Sequence, residues 1–243
     1  TTFSSFGKLS HLTEQEMIGL AAERGGRPDD PKQRNPLDFV LWQPSADDEP
    51  SWNSPFGIGR PGWHIECSAM CMNALGPAID IHGGGADLIF PHHECEIAQS
   101  ESANGEPFSK YWVHAGLVAY QGTKMSKSLG NLVFVSELRK AIDPRAIRLA
   151  LMAHHYRSGF EWFDEEGPRG QRDLELLVRS AAGAKPVKAG PLLDQVREAL
   201  DDDLNTPRVR QLLLAEAQVI DEGSSSGSPG CLVAAASLCG IEL

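Results

Sequence analysis

No stretch of this 243-residue chain approaches the run of about 18 apolar residues that a membrane-spanning helix needs. No leader of the charged-then-apolar kind opens it, so a cytoplasmic protein without membrane contact is expected. A basic excess is also missing: 22 Lys and Arg stand against 33 Asp and Glu, a net charge of −11. The bulk field therefore does not favour nucleic acid, although a local basic patch can coexist with an acidic whole. Cysteines number five, an odd count at irregular spacing, which argues against a disulfide framework and for thiols or metal ligands. Neither a Ser/His/Asp order nor a dinucleotide fingerprint occurs. An initiator methionine is absent too; the chain opens Thr1-Thr2-Phe3-Ser4-Ser5 and is expected to start inside a longer protein.

What is present reads as an α/β segment followed by a helical one. Thr13 and Glu16 have capping-box spacing ahead of an amphipathic helix to Arg24, which Gly25-Gly26 ends. Phe39 to Trp42 suggests a short strand, and residues 44 to 62 a long irregular loop. Trp63 to Leu75 reads as a helix with Trp63, Cys67 and Cys71 on one face. A strand over Ala78 to Ile81 empties into glycines, and a helix is expected from Pro91 to about Ser102. Trp112 to Tyr120 alternates like a strand, and Gln121-Gly122 suits a tight turn. Beyond Val135 the period is helical throughout: 135–141, 143–155, 165–182, 192–203, 206–221 and a last helix from Cys231 to Cys239. Gly223 to Gly230 reads as a flexible linker. The expected boundary separates a catalytic segment, 1–133, from a helical domain, 134–243.

The chain is organised around Ile81 to Glu96 (IHGGGADLIFPHHECE). Glycines after a strand allow close backbone approach to a ligand, and a helix start favours anionic groups. His92 and Glu96 share a helix face, and with Cys67 they form a donor set that suits zinc. A buried cysteine beside a surface His and Glu is the plain structural alternative, and Cys71 competes with Cys67. Cys231 and Cys239 read as core cysteines. Gly83-Gly84-Gly85 with Asp87 could hold a nucleotide, or could simply form a strand-to-helix turn needing unusual backbone angles. Trp63 is more readily a core residue than a ligand-facing one. Lys124 to Ser128 (KMSKS) places two lysines in a loop with small hydroxyl residues. Such a loop can close over a triphosphate, although an exposed turn with two solvated lysines has the same composition.

Three of these pieces, Pro61-Gly62-Trp63-His64-Ile65-Glu66-Cys67-Ser68, His82 to Glu96 and Lys124 to Ser128, occur in the order found in cysteine-activating class I synthetases. The resemblance covers residues 7 to about 165. It implies the second half of a Rossmann-type class I catalytic domain followed by a C-terminal α-helical domain. It also implies zinc on Cys67, His92 and Glu96, with a last ligand from a first half, and ATP with Mg²⁺ as substrate. Trp63, His82 and Asp87 would line a cysteine pocket, Gly85, Ala86, Asp87 and Val118 would approach the adenylate, and Lys124 and Lys127 would act on the phosphates.

Two branches of that family are in play. Glu23-Arg24-Gly25-Gly26-Arg27-Pro28, His114 to Val118, Ala146 to Ala150 and the short C-terminal tail resemble the ligases of the mycothiol pathway, which join cysteine to glucosaminyl-inositol. His82, Glu96 and Gly7-Lys8-Leu9-Ser10 are more similar to cysteinyl-tRNA synthetases, whose acceptor is tRNA. The mycothiol branch is preferred. The family's His-rich ATP motif and first zinc cysteine belong to an N-terminal half that does not appear here and is expected as a partner. A non-catalytic zinc- or nucleotide-binding fragment is the rival of a different class.

Overall fold

The computed structural model describes residues 6–243; the opening Thr1 to Ser5 stretch lies outside them. The chain divides into two compact units, Thr1–Ala115 and Gly116–Leu243. The strands at Val118–Tyr120, Thr123–Lys124 and Phe160–Glu161 therefore group with the C-terminal helices.

In the first unit, helix α1 (Glu14–Glu23) carries the expected capping box: the Thr13 hydroxyl accepts from the Glu16 amide, and the Glu16 carboxylate accepts from the Thr13 amide. Strands β1 (Trp42–Gln43) and β2 (Arg60–Pro61) pair antiparallel and close the base of the long loop between them. Helix α2 runs from Trp63 to Leu75, as its periodicity predicts, with Gly62 at its N-cap. Strand β3 (Ile79–Gly85) pairs in parallel with β4 (Ser109–Ala115), and helix α3 (Glu94–Asn104) forms the crossover. Phe90 anchors a small core with Met17 and Leu37 beneath α1.

Two local readings are corrected. The three glycines lie inside β3, and none has a positive φ. Their value is space: a Cβ on Gly84 would sit 2.9 Å from the His93 ring. The regular helix also begins at Glu94 rather than Pro91. Ala86–Leu88 forms a tight turn, and Ile89–His93 is a kinked turn in which Phe90 is extended (φ −134°, ψ 137°).

In the second unit, β5 (Val118–Tyr120) and β6 (Thr123–Lys124) form a hairpin whose turn residues Gln121 and Gly122 both have positive φ (55° and 74°). The single strand expected over Trp112 to Tyr120 is thus two, broken where Gly116 packs against the backbone of Ser158. A further strand, β7 (Phe160–Glu161), pairs in parallel with β5, so helices are not alone beyond residue 130. Helices α4 (Val135–Leu138), α5 (Pro144–Leu151), α6 (Glu166–Ser180), α7 (Pro191–Asp201), α8 (Thr206–Asp221) and α9 (Pro229–Leu238) follow. Leu149, Leu177, Val196, Val209, Leu213, Leu232 and Ile241 build their shared core. Cys231 is buried in that core and Cys239 packs against it, as expected. The Gly223 to Gly230 segment is tied back on α8, where the Ser228 amide donates to the Glu216 carboxylate at 2.6 Å. Among the described residues, no helix is long and apolar enough to cross a membrane.

Candidate active site

Four pieces of the first unit converge on Glu96: helix α2, strand β3, the Ile89–His93 turn and α3 itself. Glu96 is fully buried, and neither carboxylate oxygen has a hydrogen-bond partner among the described residues. Imidazole nitrogens crowd it without the alignment such a bond needs: His82 Nε2 at 3.2 Å, His92 Nε2 at 3.6 Å and His93 Nε2 at 3.9 Å, all from Oε2. A buried, unpartnered carboxylate is costly, and a cation would remove that cost. Donor atoms of Cys67, His92 and Glu96 lie within 4.8 Å of one another, and so do those of His82, His93 and Glu96. A thiol, an imidazole and a carboxylate form a donor set that fits zinc.

The surroundings prepare these donors. His64 Nδ1 lies 2.9 Å from His92 Nδ1, which engages that nitrogen and leaves Nε2 turned toward Glu96. Gln99 on α3 donates to the His64 carbonyl at 2.7 Å and to Ser68 Oγ at 2.6 Å, locking α2 against α3. His93 Nδ1 is likewise 2.8 Å from His114 Nε2. Burial lowers the pKa of His92, and pushes His64 down to about 4 and His93 to about 3, with neighbouring imidazoles adding to the effect. These rings are therefore neutral near pH 7, the form that can ligate. Burial, then the Glu96 charge, raises the Cys67 thiol, so that metal binding would have to displace its proton. Cys95 is pushed far up by burial and is an inert core thiol.

Trp63 is not a core residue. It is 56% exposed and stacks on the His92 ring, with centroids 4.6 Å apart and planes inclined by 19°. Gly85, Ala86 and Asp87 follow one another at the end of β3 into the tight turn, and the Asp87 charge acts on His93. Trp63, Cys67, His82, Gly85, Ala86, Asp87, His92 and Glu96 thus all belong to this unit. Val118, Lys124 and Lys127 belong to the other.

There, the lysine loop is organised by a residue to which no role was assigned from sequence, Asn131. Its carboxamide accepts from the Ser126 amide at 2.9 Å and donates to Thr123 Oγ1 and the Lys124 carbonyl. Lys124 and Lys127 are both exposed on this folded loop. His64 and His114, though part of segments that carry the resemblance, and Gln99 have no site role in the sequence reading either. Their signal in the sequence was weak, because each acts through a partner 21 to 35 positions away.

Residues 1–168 match the family model described as tRNA synthetases class I (C) catalytic domain. An L-cysteine:1D-myo-inositol 2-amino-2-deoxy-alpha-D-glucopyranoside ligase from Thermobispora bispora is 51% identical over 93% of the chain. Proteins of the same name from Nocardiopsis dassonvillei and Streptosporangium roseum are 46% and 47% identical over 98% of it. The chain spans 56–60% of the length of these three relatives. Among solved structures, the LeuRS of Agrobacterium radiobacter K84, crystallised as a ternary complex with tRNA and LeuAMS, superposes with a TM-score of 0.55 at 15% identity. That match covers 78% of this chain and 31% of the other, and at such identity it speaks to fold alone.

Proposed function

The chain belongs to the class I tRNA synthetase catalytic-domain family, and on that premise we propose that it carries the second half of an ATP-dependent cysteine ligase. The observation that carries this reading is the Cys67–His92–Glu96 donor set around an unpartnered buried carboxylate. In this reading zinc sits on those three residues. When bound, it would supply a soft acid that prefers a thiolate to a serine hydroxyl, giving discrimination that an apolar pocket cannot reach. Trp63 and His82 border the thiol end of the substrate, and Asp87 receives its ammonium group. Gly85 and Ala86 let the backbone approach the adenylate, with Val118 beside it.

The substrate carboxylate attacks the α-phosphate of ATP, which is bound with Mg²⁺, to give cysteinyl-adenylate and pyrophosphate. Lys124 and Lys127 offset the charge that develops on the departing pyrophosphate. An amine then attacks the activated carbonyl and releases AMP, with no covalent bond to the protein. The relatives' names support glucosaminyl-inositol as the source of that amine, and hence a place in mycothiol biosynthesis. A second reading, transfer to a tRNA hydroxyl, is favoured by the family model's description and by Glu96 itself.

A first half of the same protein completes the site in this proposal. Parallel sheets are normally covered on both faces, yet the register partners Ile81 and Tyr111 are 65% and 67% exposed. Cytoplasmic location is part of the same reading. Cysteine-dependent ATP–pyrophosphate exchange, measured on the polypeptide at the length of its relatives, tests it. Exchange with cysteine and little with serine is expected; no exchange in a folded, zinc-loaded protein would remove the proposal.

A further inference from the structure

Between the substrate-side Asp87 and the metal-side His92, the backbone makes the bend described above, and one side chain holds it. Arg24 Nη1 donates to the carbonyl oxygens of both Asp87 and Phe90. The Phe90 ring, 3% exposed, is meanwhile buried among Met17, Leu37 and the side chains of α1. Phe90 is therefore gripped at its ring by apolar packing and at its carbonyl by a cation. It lies two residues before His92 and three after Asp87.

The local sequence explains why an arginine stands there. Arg24 closes α1, whose C-terminal end favours a cation. Gly25 follows with φ +89°, and the Gly26 amide turns back to the Ala21 carbonyl at 2.7 Å. A Cβ at Gly26 would lie 2.7 Å from that same oxygen, so the chain can double back only with glycine here. The reversal leaves the Arg24 side chain to cross to the bend alone.

We propose that Arg24 is a positioning residue for the metal-side half of the site, fixing where His92 stands relative to Cys67 and Glu96. This rests on the assignment of those three as metal ligands. Groups that orient a ligand without touching the ion are worth about ten- to a hundredfold in metal affinity. One nitrogen, Nη1, serves both carbonyls, so a lysine ammonium that approaches the same point can restore part of the contact.

The test uses the whole chain titrated with cobalt(II) against a chromophoric chelator, with the visible ligand-field spectrum recorded. Arg24→Gln is expected to bind cobalt about tenfold more weakly with a shifted spectrum, and Arg24→Lys to recover part of both. Thr13→Ala is the control for plain loss of stability, because it removes the cap at the other end of the same helix without touching the bend. It is expected to lower Tm and leave affinity and spectrum unchanged. Arg24→Gln with native affinity and spectrum, or Thr13→Ala weakening cobalt as much, overturns the role of Arg24 alone. A native chain that takes up no cobalt overturns the ligand assignment, and the proposal with it.

Discussion

Glu96 sets opposite demands on stability and on binding. Without an ion it is a buried charge that three imidazoles approach without bonding. Glu96→Gln should therefore raise the Tm of the zinc-free chain, by about 1 kcal/mol or more of stability. The same change should shrink the further rise that added zinc gives the native chain. Thermal denaturation with chelator and with zinc checks both signs; a fall in the zinc-free Tm would mean that the carboxylate is satisfied in the apo protein. Lys127 is expected to act on phosphate and not on metal. Lys127→Ala should slow pyrophosphate exchange about a hundredfold while bound zinc, measured by atomic absorption, stays the same. At this scale the ligand-type residues were legible because their chemistry is rare: a cysteine in a helix, and a His and Glu one turn apart. The residues that orient them were not. His64, His114 and Arg24 gain their roles only from contacts across tens of positions, and Asn131 from hydrogen bonds within its own loop.

At the scale of elements, the turn between α7 and α8 shows how charge holds an irregular segment. Asp203, between α7 and α8, adopts φ 52° and accepts from Tyr156 at 2.7 Å and from Arg157 at 2.7 and 2.9 Å. Arg157, then Tyr156, hold its carboxyl below the usual range, although the group is exposed. A depressed carboxylate stabilises the fold above its unfolded pKa and loses that contribution as pH falls through its folded one. Asn tolerates positive φ, so Asp203→Asn isolates the charge. Its Tm deficit should be full at neutral pH and shrink steadily below about pH 4; a deficit constant from pH 7 to pH 3 would contradict the assignment. Helices were read well because apolar period and caps are local, and α2 was found at its true ends. The glycine run is open in sequence between close approach and a turn, because glycine serves both, and only the His93 ring above Gly84 distinguishes them. Strand β7 spans two residues, too short for any alternation to show.

For the whole molecule, the order of motifs carried more than composition did. A net charge of −11 and five irregular cysteines were compatible with many enzymes. Three motifs in sequence led to the class I family, which the match over residues 1–168 then showed. The division after Ala115 was not legible, because β5 continues the alternation of β4 and only the backbone contact at Gly116 breaks it. Which acceptor takes the activated cysteine is the central claim, and one assay addresses it most directly. Labelled cysteine and ATP are given to the polypeptide at the length of its relatives, with glucosaminyl-inositol or with tRNA. The account predicts a labelled amide with glucosaminyl-inositol and no label on tRNA; label on tRNA alone would contradict it.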